Sequence, residues 1–140
     1  MKKTLLFASA LACLLTACES KLVEQVQLIP QAENVEILNG AYALNKLQSI
    51  QTPEDWKATA ENFINDVKKT TNQQVALASE GASIVLAENA SLPKEAYTLS
   101  ITKNGIQLEA NSVEGISHAL TSLHQLILYM LMLCALKVLK

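Results

Sequence analysis

The segment from Tyr97 to Ile127 constrains the fold more than any other part of the 140-residue chain. Apolar and polar residues alternate through Tyr97–Thr102 and again through Ile106–Asn111, and this period of two predicts two half-buried strands. Asn104 and Gly105 lie between them, and this pair tolerates the positive φ angles of a two-residue type I′ turn. The segment therefore predicts a β-hairpin.

The predicted turn also determines how the two strands pair. If Asn104 and Gly105 occupy its centre, each apolar residue of one strand meets an apolar partner on the same face of the other. The predicted cross-strand pairs are Lys103 with Ile106, Ile101 with Leu108, and Leu99 with Ala110.

An amphipathic helix is predicted directly after the hairpin. Ser112 is suited to the N-cap position, and Glu114 places a negative charge near the positive end of the helix dipole. Apolar residues then recur at helical spacing, at Ile116, Ala119, Leu120, Leu123 and Ile127. The whole unit is strand, tight turn, strand, helix.

A second helix is predicted upstream. Thr52 is the expected N-cap, Pro53 the first helical residue and Asp55 the acidic residue of a capping box, and the helix is expected to end near Thr70. Its apolar stripe consists of Trp56, Ala60, Phe63, Ile64 and Val67, and we interpret the two aromatic residues as core anchors.

Short strands are predicted before and after this second helix. The candidates are segments around Val35–Leu38 and Tyr42–Leu44 with a hairpin signal at Asn39–Gly40, then Val75–Leu77 and Ile84–Leu86, with a loop over Asn89–Glu95. This order of elements predicts an α+β domain, in which a small, mainly antiparallel sheet carries two helices on one face.

Composition limits the function of this single domain. Half of the residues are apolar, 17% are charged and the net charge is −2, with no arginine in the chain. Nucleic-acid binding requires a dense cationic surface, so we exclude nucleic acid as a partner.

The N-terminus has the features of an export signal. Residues 1–17 contain Lys2 and Lys3, then an apolar stretch from Leu5 to Leu15 that is too short to span a bilayer. The following Leu15-Thr16-Ala17-Cys18 resembles the bacterial lipobox, which implies lipid attachment at Cys18. Residues 18–27 are then a tether, and the expected location is the bacterial cell envelope, anchored by lipid to the periplasmic or the surface face of the outer membrane. An ordinary signal peptide that happens to end at a cysteine is the alternative.

The cysteines predict no disulfide framework. Cys13 is expected to leave with the signal peptide and Cys18 to carry lipid, so Cys134 has no partner in the mature chain.

We find no residues arranged for catalysis, substrate binding, metal binding or cofactor binding. The adjacent acids Glu54 and Asp55 lie in the first turn of a predicted helix, where their usual role is to complement the helix dipole. His118 and His124 are six residues apart, which separates them by about 120° around a helix and prevents joint coordination of one metal ion.

The last residues differ from the rest of the chain. Leu126–Leu136 is apolar on every side, whereas the preceding helix has a polar face. Such a segment is either buried or inserted in a membrane. Because eleven residues are few for a span, we interpret residues 128–140 as an anomalous apolar tail that is buried or misplaced.

Several segments resemble the N-terminal domain of bacterial β-N-acetylhexosaminidases, the family 20 glycoside hydrolases. They are Glu95–Ile101, Ile106–Ala110, Gly115 and Ala119–Leu126, with Leu28–Pro30 and Gly40–Leu44 matching the start of that domain. The resemblance covers residues 28–127. One departure is Ile116-Ser117-His118, where the family often has aromatic residues.

The resemblance implies a partner for this domain. In the family a TIM barrel follows it and carries an adjacent Asp–Glu pair, which hydrolyses terminal N-acetylhexosamine residues with retention and with help from the substrate's acetamido group. No residue of this chain matches those positions. We therefore expect a non-catalytic accessory domain, truncated before the barrel, with an out-of-frame tail and no activity of its own.

Two other interpretations remain open at this stage. The chain could be a standalone membrane-anchored lipoprotein that binds a glycan or a protein partner, or a remnant without activity. A glycan-binding lipoprotein would need an exposed aromatic platform, yet the chain has six aromatic residues, most of them at positions expected to face the core.

The lipobox generates a first prediction. Cys18→Ala is expected to leave the protein unlipidated and soluble in the export compartment, because the acyl chains provide the stable anchoring. Detergent-phase partitioning measures this, with Cys134→Ala as the matched control that retains the lipid. Normal partitioning of Cys18→Ala into the detergent phase would contradict lipid attachment at that residue.

Overall fold

The computed structural model describes residues 28–29, 32–36 and 42–138, with side chains as far as Leu131 in the last helix. The predicted signal peptide at 1–17, the lipid site Cys18, the tether and the hairpin signal at Asn39–Gly40 lie outside the described residues. Those predictions therefore remain expectations.

The described chain forms five strands and two long helices. They are β1 (Ser49–Gln51), α1 (Lys57–Thr71), β2 (Ala76–Leu77), β3 (Ile84–Glu88), β4 (Tyr97–Thr102), β5 (Gly105–Ala110) and α2 (Val113–Val138), with single 3-10 turns at Leu44–Lys46 and Glu54–Trp56. The strands lie in one sheet in the order β2-β1-β3-β5-β4. The α+β class with two helices packed on a sheet is confirmed.

The strand directions differ from the expected mainly antiparallel sheet. β1 pairs in parallel with both β2 and β3, and β3 pairs in parallel with β5. Only the β4–β5 hairpin is antiparallel in the described sheet. The physical reason lies in the connections, because α1 carries the chain from the end of β1 back to the start of β2, and such a crossover joins parallel strands.

One face of the sheet and the facing sides of both helices form the core. Ile50, Ile84 and Ile106 lie side by side across β1, β3 and β5, and each is at most 4% exposed. Trp56 and Phe63 are buried above them, as the sequence predicted. The helices contribute small and branched residues to the same cluster, namely Ala60, Val67, Ile116, Ala119, Leu120, Leu123 and Ile127.

The hairpin forms where it was predicted, but its register is different. Ile101 faces Ile106, Leu99 faces Leu108 and Tyr97 faces Ala110, so the predicted pairs are wrong. The turn is centred on Lys103-Asn104, and Asn104 does not adopt the positive φ that a type I′ turn requires. Instead the hydroxyl of Thr102 accepts a hydrogen bond from the Asn104 amide at 3.2 Å. Apolar residues still face each other, because the shift leaves every side chain on its predicted face.

The start of α1 also differs from its prediction. Pro53 is extended, with ψ 149°, and a 3-10 turn follows it, so Pro53 is not the first helical residue. The Thr52 hydroxyl donates to the Pro53 carbonyl at 3.1 Å, and α1 has no side-chain N-cap. The predicted end is confirmed within one residue, since α1 ends at Thr71 and Asn72 takes the left-handed conformation with φ 58°.

The start of α2 is attached to the loop between β3 and β4. The Ser112 hydroxyl accepts from the Gly115 amide at 3.3 Å, which confirms the predicted N-cap, and it donates to the Lys94 carbonyl. The Lys94 ammonium group lies 3.0 Å from the Glu114 carboxylate. Gly115 approaches the loop so closely that a Cβ atom there would lie 2.6 Å from the Ala96 carbonyl oxygen.

Helix α2 continues without a break from the predicted domain into the predicted tail, as far as Val138. Ile127 is buried and Leu131 packs against the core, whereas Met130 is 52% exposed. No helix in the described part of the chain combines the length and apolar character needed to cross a membrane.

The close approach at Gly115 generates a second prediction. Gly115→Ala is expected to lower the free energy of unfolding by about 1–3 kcal/mol, because the new methyl group meets backbone that cannot move aside locally. This cost exceeds the gain in helix propensity of roughly 1 kcal/mol. Urea denaturation measures it, and Ser117→Ala on the exposed side of α2 should change stability by less than about 0.5 kcal/mol. An alanine variant as stable as the wild type would contradict the close packing.

The ion pair at the start of α2 generates a third prediction. The hydrogen bond from Lys94, followed by those from the Glu114 amide and Ser112, lowers the pKa of Glu114 from 4.5 to about 2. The unfolded chain thus binds this proton more tightly, so the stabilisation is present above pH 4.5 and is lost as the pH falls toward 2. The stability difference between wild type and Glu114→Gln should follow that profile in urea titrations.

Two controls accompany the Glu114 titration. Lys94→Met should reproduce part of the profile of Glu114→Gln, because it removes the ion pair but leaves the hydrogen bonds from the Glu114 amide and Ser112. The effect should be small and should shrink in high salt, since both side chains are exposed to solvent. A difference that does not change between pH 6 and pH 2 would contradict the assignment.

Candidate functional site

The adjacent acids Glu54 and Asp55 do not form an active site. Both lie exposed in the 3-10 turn that precedes α1. The Glu54 side chain is 86% exposed and lies 3.4 Å from the Lys57 ammonium group, one turn along the chain. Catalysis by two carboxylates requires that both converge on one bond in different environments. This pair has neither property.

The two histidines have separate environments. His118 is exposed on α2, whereas His124 is half-buried with its ring edge against Phe63 at a centroid distance of 6.4 Å. The His124 Nε2 atom lies 2.9 Å from the Thr70 hydroxyl of α1. Because that hydroxyl donates to the Asp66 carbonyl at 2.7 Å, it accepts from His124, so Nε2 carries the hydrogen. His124 thus connects the two helices.

No metal site is present in the described part of the chain. It contains no group of three or more His, Cys, Asp or Glu side chains placed to hold a metal ion.

One concave feature of the described residues is a cleft of about 330 Å³ between α1 and α2. Each helix contributes four residues spaced i, i+3, i+4 and i+7, so two matching stripes face each other. The α1 stripe consists of Thr59, Asn62, Phe63 and Asp66, and the α2 stripe of Ser117, Leu120, Thr121 and His124. Phe63 and Leu120 are buried, so they form the floor beneath polar rims.

The side chains of this cleft supply hydrogen bonds but no acid–base pair. Its one carboxylate, Asp66, is exposed and lies 3.7 Å from the Lys69 ammonium group. Catalysis at a glycosidic bond generally needs two cooperating carboxyl groups, or one with an activated group of the substrate. The cleft can accommodate a side chain or a small polar group, and it lacks the pair of catalytic groups that bond cleavage would need.

This cleft was not predicted from the sequence, although the sequence contains a signal for it. The polar residues Thr59, Asn62 and Asp66 recur beside the apolar stripe of α1, and Ser117, Thr121 and His124 do so on α2. Each set alone is typical of a solvated helix face. Only the packing of α1 on α2 shows that the two sets face each other.

The β4–β5 part of the sheet face opposite the helices is polar. Thr98 and Ser100 of β4 are exposed there beside Gln107 of β5. Glu109 on this face accepts hydrogen bonds from the Asn89 amide at 2.8 Å and the Gln107 amide at 2.7 Å. No aromatic side chain of the described strands lies on this face, so it lacks a stacking platform for sugar rings.

Comparison with known protein families gives a match over most of the chain. The model of glycosyl hydrolase family 20, domain 2, matches residues 25–129. A β-hexosaminidase from Vibrio furnissii is 31% identical over 102 residues, which cover 73% of this chain and 17% of that enzyme. The chain thus spans about a sixth of the curated relative it matches.

Solved structures show the same fold. An inactive variant of a family 20 exo β-N-acetylglucosaminidase from Vibrio harveyi has a TM-score of 0.64 at 18% identity, over 71% of this chain and 15% of that one. The β-N-acetylhexosaminidase of Bacteroides fragilis has a TM-score of 0.56 at 21% identity, over 71% of this chain and 20% of that one.

These matches fall on the structural unit described above, which comprises the five-stranded sheet, its two helices and the interhelical cleft. By the family match over residues 25–129, the chain belongs to glycosyl hydrolase family 20, as the N-terminal, non-catalytic domain of that family.

Proposed function

We propose that this chain provides the accessory domain of a β-N-acetylhexosaminidase, an enzyme that acts on terminal N-acetylhexosamine residues of glycans. The observation that carries the proposal is the match of the family's domain 2 to residues 25–129. In this proposal the catalytic acid and the substrate-orienting residue belong to a TIM barrel, which is the partner of the domain in family members.

The side chains of the domain support an accessory rather than a catalytic role. Glu54 and Asp55 are solvent-exposed, and the cleft between α1 and α2 contains the single carboxylate Asp66. The continuous buried core and the hydrogen bonds that attach the start of α2 to the loop between β3 and β4 suit a support for a larger catalytic domain.

Location in the cell envelope, with a lipid at Cys18, is a further part of this proposal. It rests on the sequence of the first 18 residues, which combine a basic start, an apolar stretch and the lipobox-like Leu15-Thr16-Ala17-Cys18. A glycan-binding role for the isolated domain has less support, because Trp56 and Phe63 are buried and cannot offer a stacking surface.

A domain exchange tests the proposed function. Residues 25–129 of this chain would replace the matching segment of the Vibrio furnissii β-hexosaminidase, and hydrolysis of an aryl β-N-acetylglucosaminide would be measured. We expect the chimaera to recover activity and soluble yield well above those of an enzyme that lacks the segment, because both segments match the same family domain.

Three controls make the exchange interpretable. An enzyme lacking the segment should lose soluble yield or activity, and the present chain alone should not hydrolyse the substrate. A chimaera that carries Gly115→Ala should be less stable than the unmodified chimaera. A chimaera no better than the deletion, or turnover by this chain alone, would contradict the accessory role.

A further inference from the structure

The turn of the β4–β5 hairpin contains two neighbouring residues that can react with each other, Asn104 and Gly105. The backbone nitrogen that follows an asparagine can attack its side-chain amide, because the two groups close a favourable five-membered ring. Glycine at the second position promotes this attack, since it has no Cβ atom to obstruct the approach. The chain contains a second such pair, Asn39-Gly40, which lies outside the described residues. The hairpin turn is therefore a candidate site of chemical modification.

The structure leaves the side chain of Asn104 free to turn toward Gly105. Asn104 is exposed at the tip of the hairpin, and no hydrogen bond to another described residue restrains its side-chain amide. Its backbone amide donates to the Thr102 hydroxyl at 3.2 Å, so the turn is held through the main chain of Asn104. Rotation of the side chain therefore breaks no hydrogen bond within the described part of the chain.

Two other asparagines that precede a small residue are restrained. The side-chain amide of Asn111 donates to the Leu92 carbonyl at 2.9 Å. The side-chain amide of Asn89 donates to the Glu109 carboxylate at 2.8 Å, and its side-chain oxygen accepts from the Ser91 amide at 3.1 Å. Either side chain must break these hydrogen bonds before it can reach the next backbone nitrogen.

Gly105 lies at a point of the sheet that can open without disturbing the core. It is half-buried and faces Thr102 in the last pair of the hairpin, next to the exposed Lys103. Ile106, by contrast, is 4% exposed, and its backbone amide donates to the Ser83 carbonyl at 3.0 Å. Local opening concentrates in exposed turns with few buried contacts, so the Gly105 nitrogen becomes accessible while β5 stays in place.

The reaction at this turn needs only water and base. After base removes its proton, the Gly105 nitrogen forms a bond to Cγ of Asn104, and the bond from Cγ to the side-chain nitrogen breaks. That nitrogen takes up a proton from water and leaves as ammonia, and the product is a cyclic succinimide. Water then breaks one of the two carbon–nitrogen bonds of the ring. Cleavage at Cγ gives aspartate, whereas cleavage at the main-chain carbonyl carbon gives isoaspartate, in which the backbone passes through the side chain.

From these observations we propose that Asn104 is a site of spontaneous deamidation, which converts it to aspartate and isoaspartate in the folded domain. The isoaspartate form lengthens the backbone of the turn between β4 and β5 by one carbon atom. This change disturbs the pairing of Thr102 with Gly105 and the hydrogen bond from the residue 104 amide to the Thr102 hydroxyl. Isoaspartate therefore weakens the hairpin, whereas aspartate keeps the backbone and alters only the charge.

Incubation of the folded, full chain in mildly alkaline buffer tests the proposal. Digestion after glutamate residues then releases residues 96–109, in which Asn104 is the one asparagine. Mass spectrometry measures the conversion of the side-chain amide to a carboxyl group, and methylation of the peptide by an isoaspartyl methyltransferase measures isoaspartate. We expect both signals to grow with time and to grow faster at higher pH, because the attacking nitrogen must lose its proton.

The same digest contains two internal controls. Residues 89–95 and residues 110–114 contain Asn89 and Asn111, respectively, as their only asparagine. We expect Asn104 to react at least about fivefold faster than either, because their side chains must first give up a hydrogen bond.

A matched variant removes the reactive pair. Asn104→Gln should lose nearly all conversion in residues 96–109, since glutamine would have to close a less favourable six-membered ring. Thermal melts should show that this exposed substitution leaves the fold intact.

Two outcomes would overturn the assignment of Asn104. One is a folded chain in which Asn104 stays intact during the time in which the urea-unfolded chain converts. The other is equal conversion of Asn104 and Asn111, because the free side chain at the turn would then give no advantage.

A stability measurement tests the effect of isoaspartate on the hairpin. Ion-exchange chromatography separates the converted chains, which carry an additional negative charge, and urea denaturation gives the midpoint of unfolding of the isoaspartate-rich fraction. We expect a lower midpoint than that of the starting protein. The variant Asn104→Asp has the charge without the longer backbone, so its midpoint should be nearly unchanged. Equal midpoints for the isoaspartate-rich fraction and Asn104→Asp would contradict the weakening of the hairpin.

Discussion

The packing of a row of isoleucines beneath two helices supports the whole domain. Ile50, Ile84 and Ile106 come from three neighbouring parallel strands, and their burial requires that α1 and α2 cover the same face. Full burial of one such side chain contributes roughly 1.5–3 kcal/mol, so the row is a large share of the stability of a small domain. The helix positions then follow, and with them the cleft between the helices.

Local signals in the sequence predicted the two hairpin strands and both long helices, because the interactions that specify them are themselves local. The expected strand at Tyr42–Leu44 was wrong, since a 3-10 turn begins at Leu44. The strands of the hairpin, the Ser112 cap and the end of α1 each depend on residues a few positions apart. Whether β1, β2 and β3 pair in parallel or antiparallel depends on how segments distant in the sequence meet. Strands of two to five residues contain no sequence pattern that indicates this. The predicted hairpin register was wrong because the turn is centred on Lys103-Asn104. The Thr102 hydroxyl stabilises this turn by accepting a hydrogen bond from the Asn104 amide, and the pair Asn104-Gly105 alone does not indicate it.

The candidate site illustrates the same distinction. From the sequence, Glu54 and Asp55 could be assigned to the start of a helix, and the spacing of the two histidines already excluded a shared metal ion. The interhelical cleft could not be located in the same way, since it exists only where the polar stripe of α1 meets that of α2. Membership of glycosyl hydrolase family 20 explains why this well-folded domain has no residues arranged for catalysis in its described part. In that family the catalytic groups belong to another domain.

The double hydrogen bond between Gln125 and Ile29 joins residues 96 positions apart in the chain. Closing so long a loop carries an entropic cost that must be met before the contact stabilises anything. Ile29 can therefore make this contact only after α2 has formed as far as Gln125. During synthesis on the ribosome, Ile29 is made long before Gln125. The hydrogen bonds between them can therefore form only when nearly all of the domain has been synthesised, which makes this contact one of the last to form.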